Sequence, residues 1–385
     1  MEEIIRRFLE KGMSLDKFSL QFFSEHPEKI QEFFEKIETM EKKPVFVTKK
    51  EIFEILTEKK LTWDFEEIKK EEKRKNKVSI GDVENFMVER YERFRNFFTR
   101  RLDIINPVSI NRIGNSKKFS IIGMVRKIDE DAGVVILEDL TGEIEVHLDE
   151  KKIKSLVEDE VIAILCEKDH EVKGLKIFWP DVPIKKKIVK SSSKSACFFI
   201  SNLYLWEKDV WKDLVKKIEE MKFEKKYIFL MERVFDHEKK IEEYLEEFGP
   251  NCFLVGVGEE YFGVKGIHAS QPPSFFRVEG LKILVTDYGT ISELVERWKG
   301  DGVSILLNLL KKRHLNPIFD LRKMFLEEKY FLKEVPDLFV ASYIGKPGFM
   351  NYKGVTLIAN GSMKEEPIFF GVDLSTREII KVEIG

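Results

Sequence analysis

Three cysteines and six histidines are the chain's entire supply of thiolate and imidazole ligands. Cys166, Cys197 and Cys252 lie far apart, with no Cys-x-x-Cys spacing, so neither a disulfide framework nor a cysteine zinc site is expected. The histidines, at 26, 147, 170, 237, 268 and 314, are scattered and leave little material for a metal centre. Two basic runs are the other candidates. Residues 69–77 read KKEEKRKNK, six basic against two acidic with no apolar residue, which is either a solvated linker or a phosphate-binding patch. Lys311-Lys312-Arg313-His314 follows an apolar helical run and precedes Pro317. Cations there complement the helix's own dipole; the alternative is a contact to phosphate or to a partner.

The chain that must position these groups has 385 residues, too many for one small core and suited to two or three domains. A 43% hydrophobic content excludes disorder of the whole. Lys and Arg number 66 against 69 Asp and Glu, so the overall field neither demands nor forbids a nucleic-acid partner. The 32 Phe supply large buried areas and interface anchors. The charged, helical N-terminus lacks a signal-peptide pattern, and no apolar run reaches the ~18 residues that span a bilayer. A soluble cytoplasmic protein without a membrane partner is expected.

Residues 1–62 read as a small helical domain. Ile4, Phe8 and Leu9, then Phe18, Phe22 and Phe23, then Ile30, Phe33, Phe34 and Ile37 recur at helical spacing. Thr48-x-x-Glu51 has the spacing of a capping box. A basic linker and an arginine-rich helix over 86–102 occupy 63–105. Between 106 and 184, strands over 119–128, 134–138, 143–148, 161–166 and 175–178, with a helix near 151–157, fit a small Greek-key barrel of the OB type. Its faces carry few aromatics, and Glu143 and Glu145 would repel phosphate. From 185 to 385 strand and helix alternate before a β-rich end, an α/β layered domain with two sheets. The expected fold class is multidomain α+β.

In this order the elements carry seven short motifs: Arg90-Tyr-Glu-Arg-Phe94, Ile122-Gly-Met-Val125, Leu137-Glu-Asp-Leu-Thr-Gly142, Phe178-Trp-Pro-Asp-Val-Pro183, Leu309-Leu-Lys-Lys-Arg-His-Leu-Asn-Pro317, Val335-Pro-Asp-Leu-Phe339 and Tyr352-Lys-Gly-Val355. With them the chain resembles, over nearly its whole length, the small subunit of the archaeal family D DNA polymerase and the B-subunits of eukaryotic replicative polymerases. The resemblance implies that the last domain is similar to a calcineurin-type phosphodiesterase, whose active form is a 3′→5′ exonuclease. Such a site holds two divalent metals ~3.5–4 Å apart on carboxylates and imidazoles at strand ends, in D-x-H, G-D, G-N-H and G-H-x-H motifs.

At the matching positions this sequence has Asn202-Leu-Tyr204, Met231-Glu232, Gly258-Glu259-Glu260-Tyr261, Tyr288 after Asp287, and Ser342-Tyr343-Ile-Gly345. Tyr204, Glu260, Tyr288, Tyr343 and Gly345 thus stand where the family's imidazoles would be. Losing one ligand typically costs 10–100-fold in metal affinity, and a phenol with pKa ~10 is a poor ligand for a hard dication. The resemblance with these departures implies a degenerate site with no catalytic residue, metal or cofactor. The alternative is a rebuilt acidic magnesium site from Glu232, Asp236, Glu259, Glu260 and Asp287. Gly345 to Gly348 is expected as a loop at the site's mouth, and Trp206 and Trp211 as either core or a docking patch.

The functional expectation is a non-catalytic subunit that scaffolds a DNA polymerase large subunit in replication or repair, reaching single-stranded or primer–template DNA through the complex. An active exonuclease with the acidic site, or a free-standing regulator that binds single-stranded DNA, are the alternatives.

Overall fold

The computed structural model describes residues 1–40, 42–57, 62–69, 77–184, 186–201, 208–232, 234, 241–342, 344–361, 363 and 366–384. Most of the basic run 69–77 therefore lies outside the described residues. Four short helices open the chain: α1 (Glu2–Glu10), α2 (Lys17–Glu25), α3 (Glu28–Glu38) and α4 (Lys49–Thr57). Between them β1 (Ser14–Leu15) and β2 (Phe46–Val47) pair in parallel. Asp16 caps α2 through the Ser19 N–H at 2.7 Å, and the Thr48 N–H donates to Glu51 at 3.1 Å. The apolar stripes meet on Phe8, whose ring lies 4.9 Å from Phe23 and 4.7 Å from Phe34.

The expected linker contains a strand. Residues β3 (Phe65–Glu67) pair antiparallel with Ser274–Val278 and so extend a sheet some 200 residues away. Phe65 supplies the reason: it packs among Phe253, Phe276 and Tyr227, so a tripeptide with a single apolar residue is held by tertiary contacts that no local pattern announces. Helix α5 (Ile80–Phe98) begins earlier than the apolar periodicity suggests. A reciprocal Ser79–Asp82 capping box sets its start, with bonds of 3.2 and 3.0 Å.

A short β4 (Pro107–Val108) leads into β5 (Lys118–Asp129), β6 (Val134–Asp139), β7 (Gly142–His147), α6 (Glu150–Lys154), β8 (Val161–Lys168) and β9 (Val172–Phe178). The order β4-β5-β6-β7-β9-β8 with additional β5–β8 pairing closes five of these strands into a barrel. Alternate residues, among them Ile121, Val135, Leu137, Val146, Ile162 and Ile164, fill it. Glu143 and Glu145 stand on its exposed side.

The remainder is layered. Its strands are β10 (Ser195–Ser201), β11 (Lys225–Met231), β12 (Cys252–Val257), β13 (His268–Ser270), β14 (Ser274–Val278), β15 (Leu281–Thr286), β16 (Leu338–Ser342), β17 (Gly348–Tyr352), β18 (Val355–Asn360), β19 (Ile368–Asp373) and β20 (Ile379–Glu383). One sheet runs β13-β12-β11-β10-β19-β20 and the other β17-β18-β16-β15-β14-β3. Helices α7 (Lys208–Glu220) and α8 (Ile241–Leu245) accompany the first sheet; α9 (Tyr288–Trp298), α10 (Gly302–Lys312), α11 (Leu321–Met324) and α12 (Glu327–Tyr330) accompany the second.

Side-chain alternation explains why the strands read as continuous apolar runs. Cys197, Phe199, Tyr227 and Phe229 face the second sheet, whereas Phe198, Ile200, Ile228 and Leu230 face helices. Ile283, Val285 and Leu338 face the first sheet, whereas Leu284 and Phe339 face α9 and α10. Trp211 is wholly buried in the helix layer, its indole N–H bonded to the Tyr244 carbonyl at 3.0 Å, so it is core; Trp206 lies outside the described residues. Among the described residues no helix is long and apolar enough to cross a membrane.

Candidate functional site

Parallel pairing brings the strand ends into line. Ser201, Met231 and Val257 are register partners in one sheet, and Ser342 partners Asn360 in the other. The loops that follow contain the positions expected from the sequence, and side chains bridge the sheets there. The Asn360 amide donates to the Phe199 carbonyl at 2.7 Å, and the Ser201 hydroxyl donates to the Gly361 carbonyl at 3.1 Å. Glu232, just past β11, accepts the Tyr288 main-chain N–H at 2.8 Å. Asn202, Tyr204, Asp236 and Tyr343 lie outside the described residues.

Glu232 adopts a left-handed conformation, φ 53°, which an L-residue takes at a cost and keeps only when its surroundings hold it. The Tyr261 hydroxyl donates to its carbonyl at 3.0 Å, and the Tyr261 ring lies against Gly256, where a Cβ would come within 2.3 Å of it. Burial raises the Glu232 carboxyl above the ordinary carboxylate range. The Tyr288 N–H and Ser342 hydroxyl oppose that shift, while the charges of Asp287 and Glu260 add to it.

The other positions are engaged in ways unlike those of metal ligands. Asp287 caps α9, accepting from the Thr290 N–H at 3.1 Å and from its hydroxyl. The Tyr288 phenol donates to Glu296 on its own helix at 3.3 Å. Glu259 is exposed and accepts from Gln271 at 3.0 Å. Glu260 folds back over Gly258. Gly345, at φ 71°, offers no side chain. Among the described residues no three His, Cys, Asp or Glu side chains are grouped to hold a metal ion. Among the described residues the donors thus do not fit the two-metal centre that the resemblance implies: Glu232 and Asp287 accept backbone N–H groups, Glu259 accepts from Gln271, and no imidazole is present among them.

The basic run, for which a phosphate or partner contact is the alternative to complementing its helix's dipole, is mostly turned inward. Lys312, Arg313 and His314 are buried, and each is tied down within the chain. Lys312 donates to both Glu160 oxygens, at 2.8 and 2.6 Å, and to the Ser155 carbonyl at 2.9 Å. Burial holds its ammonium below its usual pKa even so. Arg313 bonds the Leu332 and Lys333 carbonyls, both at 2.6 Å, and burial pulls it down to about 10. His314 lies 3.1 Å from Glu327, which also receives two hydrogen bonds from Arg90, at 3.1 and 2.8 Å. Burial alone would raise the Glu327 carboxyl; His314 and Arg90 outweigh it and hold it well below the carboxylate range. Only Lys311 stays partly exposed, over the Tyr352 ring at 5.2 Å.

These contacts, with those of Tyr91, Asp181 and Asp337, involve six of the seven motifs. Tyr91 reaches the Ile122 carbonyl at 3.3 Å. Asp181 accepts from Tyr352 at 3.1 Å and Lys353 at 2.6 Å, and the Asp181 N–H donates to the Lys311 carbonyl at 2.8 Å. Asp337 accepts the Lys282 N–H at 2.9 Å and pairs with Lys186. Most of the motifs fasten α5, the barrel and the sandwich to one another. Sequence reasoning missed the buried carboxylates Glu160 and Glu327 that receive these cations. Both lie outside the motifs, and the available hint was that buried cations require anionic partners.

No family model matches the chain. It is 24% identical to the DNA polymerase II small subunit of Methanothermobacter thermautotrophicus over 360 aligned residues, covering 75% of this chain and 74% of that protein. It is 22% identical to the DNA polymerase II small subunit of Thermoplasma acidophilum over 352 residues, covering 75% and 72%. Among solved structures, an archaeal phosphodiesterase aligns with TM-score 0.31 and 9% identity over 49% of this chain and 98% of its own. A predicted phosphoesterase of Streptococcus pneumoniae aligns with TM-score 0.29 and 11% identity over 52% and 95%. By sequence, the chain is a relative of the small subunit of the archaeal family D DNA polymerase.

Proposed function

We propose that this chain is a non-catalytic accessory subunit that holds the large subunit of a DNA polymerase, and that its phosphodiesterase-like site does no chemistry. The observation that carries this reading is the 2.8 Å bond from the Tyr288 N–H to Glu232. A carboxylate that should face a metal instead ties one sheet to the other. The sequence similarity to polymerase small subunits supports the choice of partner class. The strand order β5-β6-β7-β9-β8, closed by β5–β8, supports reading the barrel as an OB fold. Two facing mixed sheets flanked by helices support reading the last domain as calcineurin-like, and the four N-terminal helices with their own Phe-rich core support a separate helical module. On this reading the chain works in the cytoplasm with the replication or repair machinery, and DNA is contacted in the assembled complex.

Two assays test the reading. Purified chain with manganese leaves labelled single-stranded DNA intact, and metal-dependent trimming abolished by Glu232→Gln with Glu259→Gln would overturn the pseudoenzyme claim. Affinity capture from native extract recovers the polymerase large subunit at stoichiometric amounts; recovery of the chain alone would overturn the scaffolding claim.

A further inference from the structure

Away from the strand ends, cations gather in a groove of about 620 Å³ where α5, the barrel's exit and the segment after α12 meet. Arg93, Arg100, Arg101, Arg313 and Lys333 line it, with the carboxylates of Asp181 and Glu328, and Arg101 is itself paired with Asp103 at 2.6 Å. Both carboxylates are engaged, Asp181 with Lys353 at 2.6 Å and Glu328 with Arg93 at 2.9 Å. Arg313 finds only carbonyl oxygens for its hydrogen bonds, so its charge is not neutralised by a neighbouring acid at hydrogen-bond distance. Arg100 and Lys333 are exposed and have neither an ion pair nor a side-chain hydrogen bond among the described residues.

The floor of the groove is rigid. Arg93 lies over the Phe331 ring at 4.8 Å and Arg313 over the Phe97 ring at 5.3 Å, which restrains both guanidinium groups. The rim, with Arg100 and Lys333, is unrestrained. The floor arginines lend the groove positive charge although their donors are taken by Glu328 and by main-chain carbonyls. The free cations Arg100 and Lys333 above them suit a chain of regularly repeated anions, and a groove suits one strand better than two. The barrel offers the opposite field. On the face that in such barrels takes single strands, β7 exposes Glu143 and Glu145, and Glu138 of β6 is bound to Arg126 at 2.8 Å.

We infer that this groove binds the phosphate backbone of single-stranded nucleic acid, and that the barrel's outer face does not. The inference holds whichever polypeptide the chain assembles with. The probe is a fluorescein-labelled oligothymidine of ~20 nucleotides, titrated with the full chain by anisotropy at several salt concentrations between ~50 and ~200 mM. Affinity falls with salt. Joint replacement Arg100→Ala with Lys333→Ala makes the log–log slope about 1.4 less steep, at ~0.7 for each phosphate no longer neutralised, with an unchanged circular-dichroism spectrum. Glu145→Gln leaves affinity and slope as they were. Absence of salt-sensitive binding, an unchanged slope in the double variant, or tighter binding in Glu145→Gln would each overturn the proposal. Displacement of the oligonucleotide by a polyglutamate peptide at equal charge would also overturn it, by assigning the groove to an acidic protein segment.

Discussion

Glu232 lies at the end of one sheet and its carboxylate accepts the main-chain N–H of Tyr288, at the start of a helix that follows the other sheet, at 2.8 Å. With the Asn360–Phe199 and Ser201–Gly361 bonds it closes the edge of the sandwich. Here hydrogen bonds hold it, with oxygen acceptors facing N–H and O–H donors.

Glu232→Gln retains an acceptor for the Tyr288 N–H and removes the buried charge. Because burial raises the folded carboxyl above its unfolded value, its contribution is fully present below the ordinary carboxylate pKa and is lost as pH rises through the folded value. Urea midpoints therefore coincide for wild type and Glu232→Gln in acid, and the variant becomes the more stable as pH rises to neutrality. Glu232→Ala, which loses the acceptor, is destabilised by about 1.5–3 kcal/mol.

The Arg90–Glu327–His314 cluster spans α5 and the sandwich with all three groups buried. Glu327→Ala leaves Arg90 without its charge partner and lowers stability by about 3–5 kcal/mol in equilibrium urea unfolding. Since the Glu327 carboxyl is held below its unfolded value, its stabilisation is complete above the usual carboxylate range and fades only as pH falls well beneath it. Protease resistance of the α5–barrel junction accordingly persists in mild acid for wild type and is lost in Glu327→Ala at every pH.

Lys312 and Glu160 fasten the barrel to α10, and the Trp179 indole donates to the same carboxylate at 3.1 Å. Lys312→Met alone strands a buried carboxylate and costs about 3–5 kcal/mol, whereas Lys312→Met with Glu160→Met recovers most of that loss. A double-mutant cycle by chemical denaturation measures the coupling.

Removing the β3 side chain Phe65 tests the strand that the linker concealed. Phe65→Ala costs about 2–3 kcal/mol, under the ~3–5 of a fully buried phenylalanine because Phe65 is only half-buried. It also frees the β14 edge, so hydrogen exchange across Ser274–Val278 accelerates while the barrel strands keep their protection.

Much of the fold is legible in the sequence because period-2 and period-3.6 apolar patterns are local. Strands 274–278 and 281–286 lie where the pattern puts them, and the Thr48–Glu51 box caps its helix. The apolar period starts helix α5 several residues late, because the true start is decided by Ser79 and Asp82, which carry no apolar signal. Strand β3 escapes the pattern because three residues hold no readable period; their pairing partner lies two hundred positions away.

The amino-acid sequence by itself determined which side chains the strand ends can offer. Tyr288, Glu260 and Gly345 are not imidazoles in any fold, and residue identity needs no coordinates. What the remaining groups do was decided only by tertiary structure. Lys312, Arg313 and His314 read along the chain as cations at a helix end, with a phosphate or partner contact as the alternative, yet burial gives each an internal partner, and that of Lys312 lies some 150 residues away. Desolvation makes an unpaired internal charge too costly to keep, so the fold turned Lys312 and His314 into internal fastenings. The free cations Arg100 and Lys333, which no motif marked, were left at the surface to meet an anion from outside.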